Sequence, residues 1–180
     1  MNVESDKRTY MKRIIFVMLM IAASLTGTEV SGKGRVDSGA VLGLVRTYNP
    51  EPGFEVISVG RLGLGLAKLV MSAEALDEEE RATLELLRDI NKVVVVNYDG
   101  VDSTKRKAFS TNLVQILDKA EKILEVKEEG EAVNIYGTSV NGGESIDDLM
   151  IFIPEDCTLV CILGSISAER IADLIEKANE

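Results

Sequence analysis

Several stretches of this 180-residue chain hold residue types from which chemistry is commonly built, and each can be weighed against a structural use. Gly60-Arg61-Leu62-Gly63-Leu64-Gly65 falls between a strand-like and a helix-like segment, where phosphate-cradling loops occur. Its order is G-x-x-G-x-G and no Lys-Ser or Lys-Thr pair follows, so the glycines are expected to let a helix approach the sheet closely. Asp147 and Asp148 stand just before a strand. Side chains alternate along a strand, so two neighbours on it diverge, whereas acid–base work needs two carboxyls converging on one cleft. They are read as solvated turn acids at the strand entrance. Asp99-Gly100-Val101-Asp102 lacks the calcium-loop pattern and is better explained as a helix cap. Cys157 and Cys161 lie four residues apart on an apolar stretch, which on a strand separates their Cα atoms by about 13 Å. A disulfide needs less than about 7 Å, so two buried free thiols are expected. Ser103 and Ser110 have no histidine to activate them, because the chain contains none, and no G-x-S-x-G surrounds any serine. Glu78-Glu79-Glu80 and Glu128-Glu129 read as solvated charge at helix ends. No catalytic, cofactor-binding or metal-ligating residue is assigned.

The lack of histidine removes the commonest general base and the commonest metal ligand together. Aromatic residues make up 4% and tryptophan is absent, so stacking platforms for sugars or single-stranded nucleic acid are scarce and the core is expected to be aliphatic. Net charge is −10, and a body this acidic is repelled by phosphate backbones, which argues against a nucleic-acid partner. Apolar content of 46% with 28% charged residues is that of one ordinary globular domain.

Met11-Lys12-Arg13, the apolar run Ile14 to Ala23 and the small residues after it follow the order of a secretory signal. The run is roughly a dozen residues, short of the ~20 that span a bilayer. Cleavage is expected after Ser24 or after Gly32, and Met11 could serve as the start. No Cys follows the apolar run, which excludes a lipoprotein anchor of the usual kind, so no stable membrane anchor is expected after cleavage. The organisation is then a signal peptide at 1–32, a flexible lead-in at 33–53 and one α+β domain at 54–180. Within the lead-in, a short segment around Val41 to Tyr48 is a candidate for docking on the domain.

The elements that must position any site follow from periodicity. Phe54 to Val59 alternates as a strand, and Leu62, Leu66, Leu69 and Val70 recur at helical spacing. Asp77 with Glu80 forms a capping box for a second helix carrying Leu84, Leu87 and Ile90. Val93 to Val96 suits a central strand, and Asp102 or Ser103 caps a long helix through Phe109, Leu113, Ile116, Leu117, Ala120 and Leu124 that Gly130 stops. Strands at Ala132 to Tyr136, Leu149 to Ile153 and Cys157 to Leu163 form a three-strand antiparallel meander, turned at Asn141-Gly142-Gly143 and Pro154-Glu155-Asp156. Gly164 breaks out, and Ser167 caps a final helix carrying Ile171, Leu174 and Ile175. The expected fold is an α+β layered sandwich of order β-α-α-β-α-β-β-β-α.

The stretches Val126 to Tyr136 (VKEEGEAVNIY), Ile146 to Phe152 (IDDLMIF) and Leu163 to Ile171 (LGSISAERI) carry a resemblance. From about Glu55 onward the chain resembles family 4252 of the domains of unknown function. The resemblance implies a small exported protein of Bacteroidetes-type bacteria, and it carries no catalytic residue over. Many members look like lipoproteins, which the missing Cys here departs from.

Three of the expected strands are apolar on both faces, more than a sheet covered on one side needs. The second face is expected to be covered by the lead-in, by a helix or by another protein chain. The leading functional reading is an exported, periplasmic or extracellular, non-catalytic module that binds a protein partner or itself through an apolar sheet face. The alternative is an envelope hydrolase or small-ligand-binding protein using carboxylates or Ser. Expressed with its own leader in a bacterial host, the protein should leave the cytosol with Leu25 or Lys33 as its first residue by N-terminal sequencing. A cytosolic protein retaining residues 1–32 refutes the leader.

Overall fold

The computed structural model describes residues 34–64, 89–128 and 131–167. In chain order the named elements are α1 (Ser38–Tyr48), β1 (Glu55–Gly60), β2 (Ile90–Asn97), α2 (Ser103–Leu117), β3 (Glu121–Glu128), β4 (Glu131–Val140), β5 (Ser145–Ile153) and β6 (Thr158–Ser167), with a 3-10 turn at Asn141–Gly143 between β4 and β5. The strands form one antiparallel sheet in the order β1-β2-β6-β5-β4-β3. The chain leaves β2, crosses one face of the sheet as α2 to its far margin, and returns strand by strand until β6 docks beside β2. The α+β class therefore holds.

Both helices are started by aspartates. The Asp37 carboxylate accepts from Ala40 N–H at 2.8 Å and the Asp102 carboxylate from Thr104 N–H at 3.0 Å, each satisfying an amide that lacks a partner within its own helix. Val41 and Val45 of α1, and Phe109, Leu113 and Leu117 of α2, are spaced by four and buried against the same face of the sheet. The segment read as a flexible lead-in thus contains a helix, and its Val41 to Tyr48 part packs into the first-face core. Val36 packs there as well, so the described part of the lead-in lies on the first face and not on the second.

The long helix expected to run to Gly130 ends at Leu117 instead. Leu117, Ala120 and Leu124 continue a helical spacing by coincidence, while Glu121 to Glu128 also fits a strand and pairs with β4 up to Glu128↔Glu131. That register leaves only Glu129 and Gly130 to connect β3 and β4, a length suited to a hairpin. The meander accordingly has four strands, not three. Gly164 does not end the last strand, since β6 continues through it to Ser167. The expected helices over Leu66 to Val70, after Asp77 and after Ser167 lie outside the described residues, though residues 61–64 are helical.

Strand alternation sorts the core into two unlike halves. Phe152, Met150, Leu159 and Cys161 face the helices, while Ile151, Leu149, Val160 and Ile162 face the other way. Every described aromatic ring lies on or beside the helix-covered face. Phe109 meets Tyr48, Phe54 and Tyr98 at centroid distances of 5.2, 5.1 and 4.7 Å. The described hydrophobic residues of the second face are all aliphatic and are buried as well, and Leu64 is the one of them from outside the strands. Fully burying an aliphatic side chain contributes about 1.5–3 kcal/mol, so either face is a substantial core.

Tyr98 is fully buried with its hydroxyl 3.0 Å from Ser110 Oγ. Burial pushes its phenol up to about 12, with the Ser110 hydrogen bond working the other way. A phenol raised in the folded state stabilises fully below its unfolded value near 10, and that contribution is lost as pH climbs towards 12. Alkaline titration followed at 295 nm and by circular dichroism should show the Tyr98 phenolate appearing only as the protein unfolds. Tyr98→Phe should flatten that loss of stability.

Candidate functional site

Four of the five strand pairs carry a register shift, and the shifts lie in one line across the sheet. Asn91 is the extra residue of β2 against β6, and Leu163 and Gly164 together face Asp148 of β5. Asp148 and Leu149 face Gly137 of β4, and Ile123 is the extra residue of β3. Only β1 and β2 pair without interruption. Such bulges bend a strand and re-aim its side chains. Two of these positions need glycine. At Gly164, φ is +129° and a Cβ would stand 2.3 Å from the Asp89 carbonyl oxygen, while at Gly137 it would meet Ile123 and Ile146 methyls at 2.5 Å.

Asp148 occupies the centre of this line at φ +52°, a left-handed conformation uncommon for a residue other than glycine. Its carboxylate accepts from Ser38 Oγ at 2.9 Å and from Gly164 N–H at 3.2 Å, joining β5, β6 and the first residue of α1. A second tie runs beside it, where Val36 N–H donates to Thr138 Oγ1 at 3.0 Å. The segment before α1 is fixed further by the Gly34↔Ala120 bridge, in which Gly34 N–H donates to the Lys119 carbonyl at 3.0 Å.

A cleft of about 420 Å³ opens along the bulge line. Arg35, Val36 and Arg61 border it from outside the central strands, Asp89 and Asn91 from β2 and the residue before it, and Thr138, Asp147, Asp148 and Ser165 from β4, β5 and β6. Arg35 and Asp147 approach across it to 3.8 Å, longer than a hydrogen bond. The divergence expected for Asp147 and Asp148 is therefore corrected. They lie within β5, not at its entrance, and the positive φ of Asp148 breaks the alternation, so both border one cleft.

The other sequence candidates serve the fold. Asp102 caps α2, and Asp99 pairs with Arg106 at 2.8 Å. Ser110 is engaged by Tyr98. Of the Gly60–Gly65 stretch, Arg61 reaches the cleft and Gly65 lies outside the described residues. Glu128 ends a strand and not a helix. Glu129 and the Glu78–Glu80 run lie outside the described residues. Both cysteines are free and buried, Cys157 in the turn before β6 and Cys161 on that strand. Burial pushes the Cys161 thiol up to about 12 and raises that of Cys157, the opposite of what a nucleophilic thiolate needs. Among the described residues no group of three carboxylates or thiols could hold a metal, and no helix is long and apolar enough to cross a membrane.

The cleft was invisible to periodicity because a bulge has none. The signals that mark it are an Asp-Asp pair inside an apolar strand and single glycines at 137 and 164 within strand runs.

Asp148→Ala removes both acceptors and leaves a side chain with no local hydrogen bond at positive φ, an expected loss of about 2–4 kcal/mol in urea unfolding. Asp148→Asn keeps an acceptor oxygen and should cost less than half as much. Asp147→Ala, which loses only a long ion pair at the rim, should fall within about 0.5 kcal/mol of the parent.

No curated protein and no solved structure matches the chain. One family does match, over residues 48–174, a span that includes every strand but leaves out most of α1 and the Arg35 and Val36 margin of the cleft. By that match, which covers well over half of its length, the chain belongs to the family described as "Domain of unknown function (DUF4252)".

Proposed function

We propose that this chain is an exported, non-catalytic module that associates with a second copy of itself through the β1 margin of its sheet. One observation carries the reading: the two margins of the sheet are unlike. β3 is bulged at Ile123, and its Glu125 is gripped by Lys122 and Lys127, each at 2.9 Å. Lys127 and Lys122 hold the Glu125 carboxyl down to about 2, so it stays charged throughout the physiological range. Charge and bulging are the usual means of keeping an edge from pairing. β1, with the sequence EVISVG, has no Lys, no Pro and no bulge, and among the described residues it is paired on one side only. Its Val56 turns into the first-face core, while Ile57 and Val59 project on the second face and remain 66% and 37% exposed, with Leu62 beyond them at 87%.

A second copy fits this edge better than an unrelated strand. Antiparallel pairing about a two-fold axis through Ser58 sets Ile57 opposite Val59 of the other copy, and Val59 opposite its Ile57. It thereby forms β-branched cross-strand pairs on the exposed face. Export is supported by the Met11 to Ala23 leader, and the non-catalytic character by the absence of histidine from the whole chain.

Light scattering on the processed protein should give a dimer mass, and Ile57→Lys should give a folded monomer. Ser58→Cys should be trapped as a disulfide-linked dimer under mild oxidation, because dyad-related Cα atoms in this register lie about 4.5–5.5 Å apart. A monomeric parent protein whose Ser58→Cys variant does not cross-link overturns the proposal.

A further inference from the structure

We infer that the cleft along the bulge line binds a small zwitterion, an α-amino acid or a short peptide with free ends. The cleft's volume of about 420 Å³ is in the range of small-molecule sites, and the groups around it carry both signs of charge. A simple anion placed there meets Asp89, Asp147 and Asp148, and a simple cation meets Arg35 and Arg61. A ligand with one charge of each sign a few ångströms apart satisfies both sets. Among the described residues no aromatic ring lines the cleft, which disfavours a sugar or a nucleobase that would need a stacking surface.

Not every group in the cleft is available to a ligand. Asp148 is committed to Ser38 and Gly164, and Thr138 accepts from Val36. Arg35 and Asp147 are different. At 3.8 Å they are close enough to hold each other by charge and too far apart to share a hydrogen bond, so among the described residues the guanidinium donors and the carboxylate oxygens remain to be used. A zwitterion can set its carboxylate on Arg35, with the bidentate geometry a guanidinium favours, and its ammonium on Asp147. Asn91 and Ser165 add neutral donors and acceptors to the wall. Asp147 sits on a bulged sheet pinned by Asp148, and Arg35 on the segment tied down by the Val36–Thr138 and Gly34–Lys119 hydrogen bonds, so the backbones that carry the two charges are placed before a ligand arrives. That spares the ordering cost that flexible sites incur on binding.

The test is a titration of the processed protein with dialanine, N-acetyl-dialanine and dialanine amide, read by calorimetry and by amide chemical shifts. Dialanine should bind with shifts centred on residues 138, 147 and 165, and removing either terminal charge should weaken binding by about tenfold or more. Asp147→Asn should abolish the discrimination against the acetylated form, and Arg35→Gln that against the amide. Arg35 is exposed and Asp147 half-buried, and unchanged circular dichroism and oligomeric mass would show that the fold is intact. Equal binding of the three peptides, no binding of dialanine, or shifts mapping away from the bulge line each overturn the assignment. None of these results depends on whether the protein pairs through β1.

Discussion

Asp148 holds a backbone conformation that few side chains accept, and the sheet is organised around it. A carboxylate at φ +52° is tolerable only because both of its oxygens are engaged, one by the backbone of β6 and one by the hydroxyl that opens α1. Those two contacts join parts of the chain 110 and 16 residues away. The neighbouring strands have adjusted to the extra residue. β4 and β6 place glycine beside it, where any Cβ would strike a neighbour, and the irregularity passes outward to β2 and β3. A shift this consistent across five strands bends the whole sheet and opens a polar cleft in a molecule that is otherwise apolar on both sides of its strands.

The two sides are built from different material. The helix-covered side concentrates the rings, with Phe109 inserted among Tyr48, Phe54 and Tyr98 in tilted and edge-on contacts that add directional preference to plain burial. The described hydrophobic residues of the opposite side are all leucine, isoleucine and valine. The Tyr98 hydroxyl enters the aromatic side deeply, and it is answered by Ser110 of the covering helix. Among the described residues no buried side-chain nitrogen or oxygen lacks a partner.

Much of this was legible in the residues. Alternation located β1, a β-branched run located β2, Asp102 or Ser103 marked the start of α2, and runs apolar on both faces found the strands that became β5 and β6. Where local rules failed, two patterns were in competition. Leu117, Ala120 and Leu124 satisfy helical spacing while Glu121 to Glu128 satisfies a strand, and only the hairpin with β4 decides between them. α1 was hard to see because glycine and serine dilute its apolar face, yet two valines four residues apart suffice once α2 provides a surface. The cleft was harder still. It depends on the register of four strand pairs, a property of pairing that no single segment carries, and the conclusion that Asp147 and Asp148 diverge was sound for any strand without a bulge.

The contrast between the two margins of the sheet bears on how far any assembly can grow. A sheet open at both ends can recruit copy after copy, which is the route to fibres. Here the far end is closed by the gripped Glu125 and the irregular backbone at Ile123, so joining at β1 uses up the only inviting edge among the described strands. Under the proposed pairing, growth would terminate at the first union, and an exposed run of branched aliphatic residues, ordinarily an aggregation hazard, would be compatible with a product of fixed size.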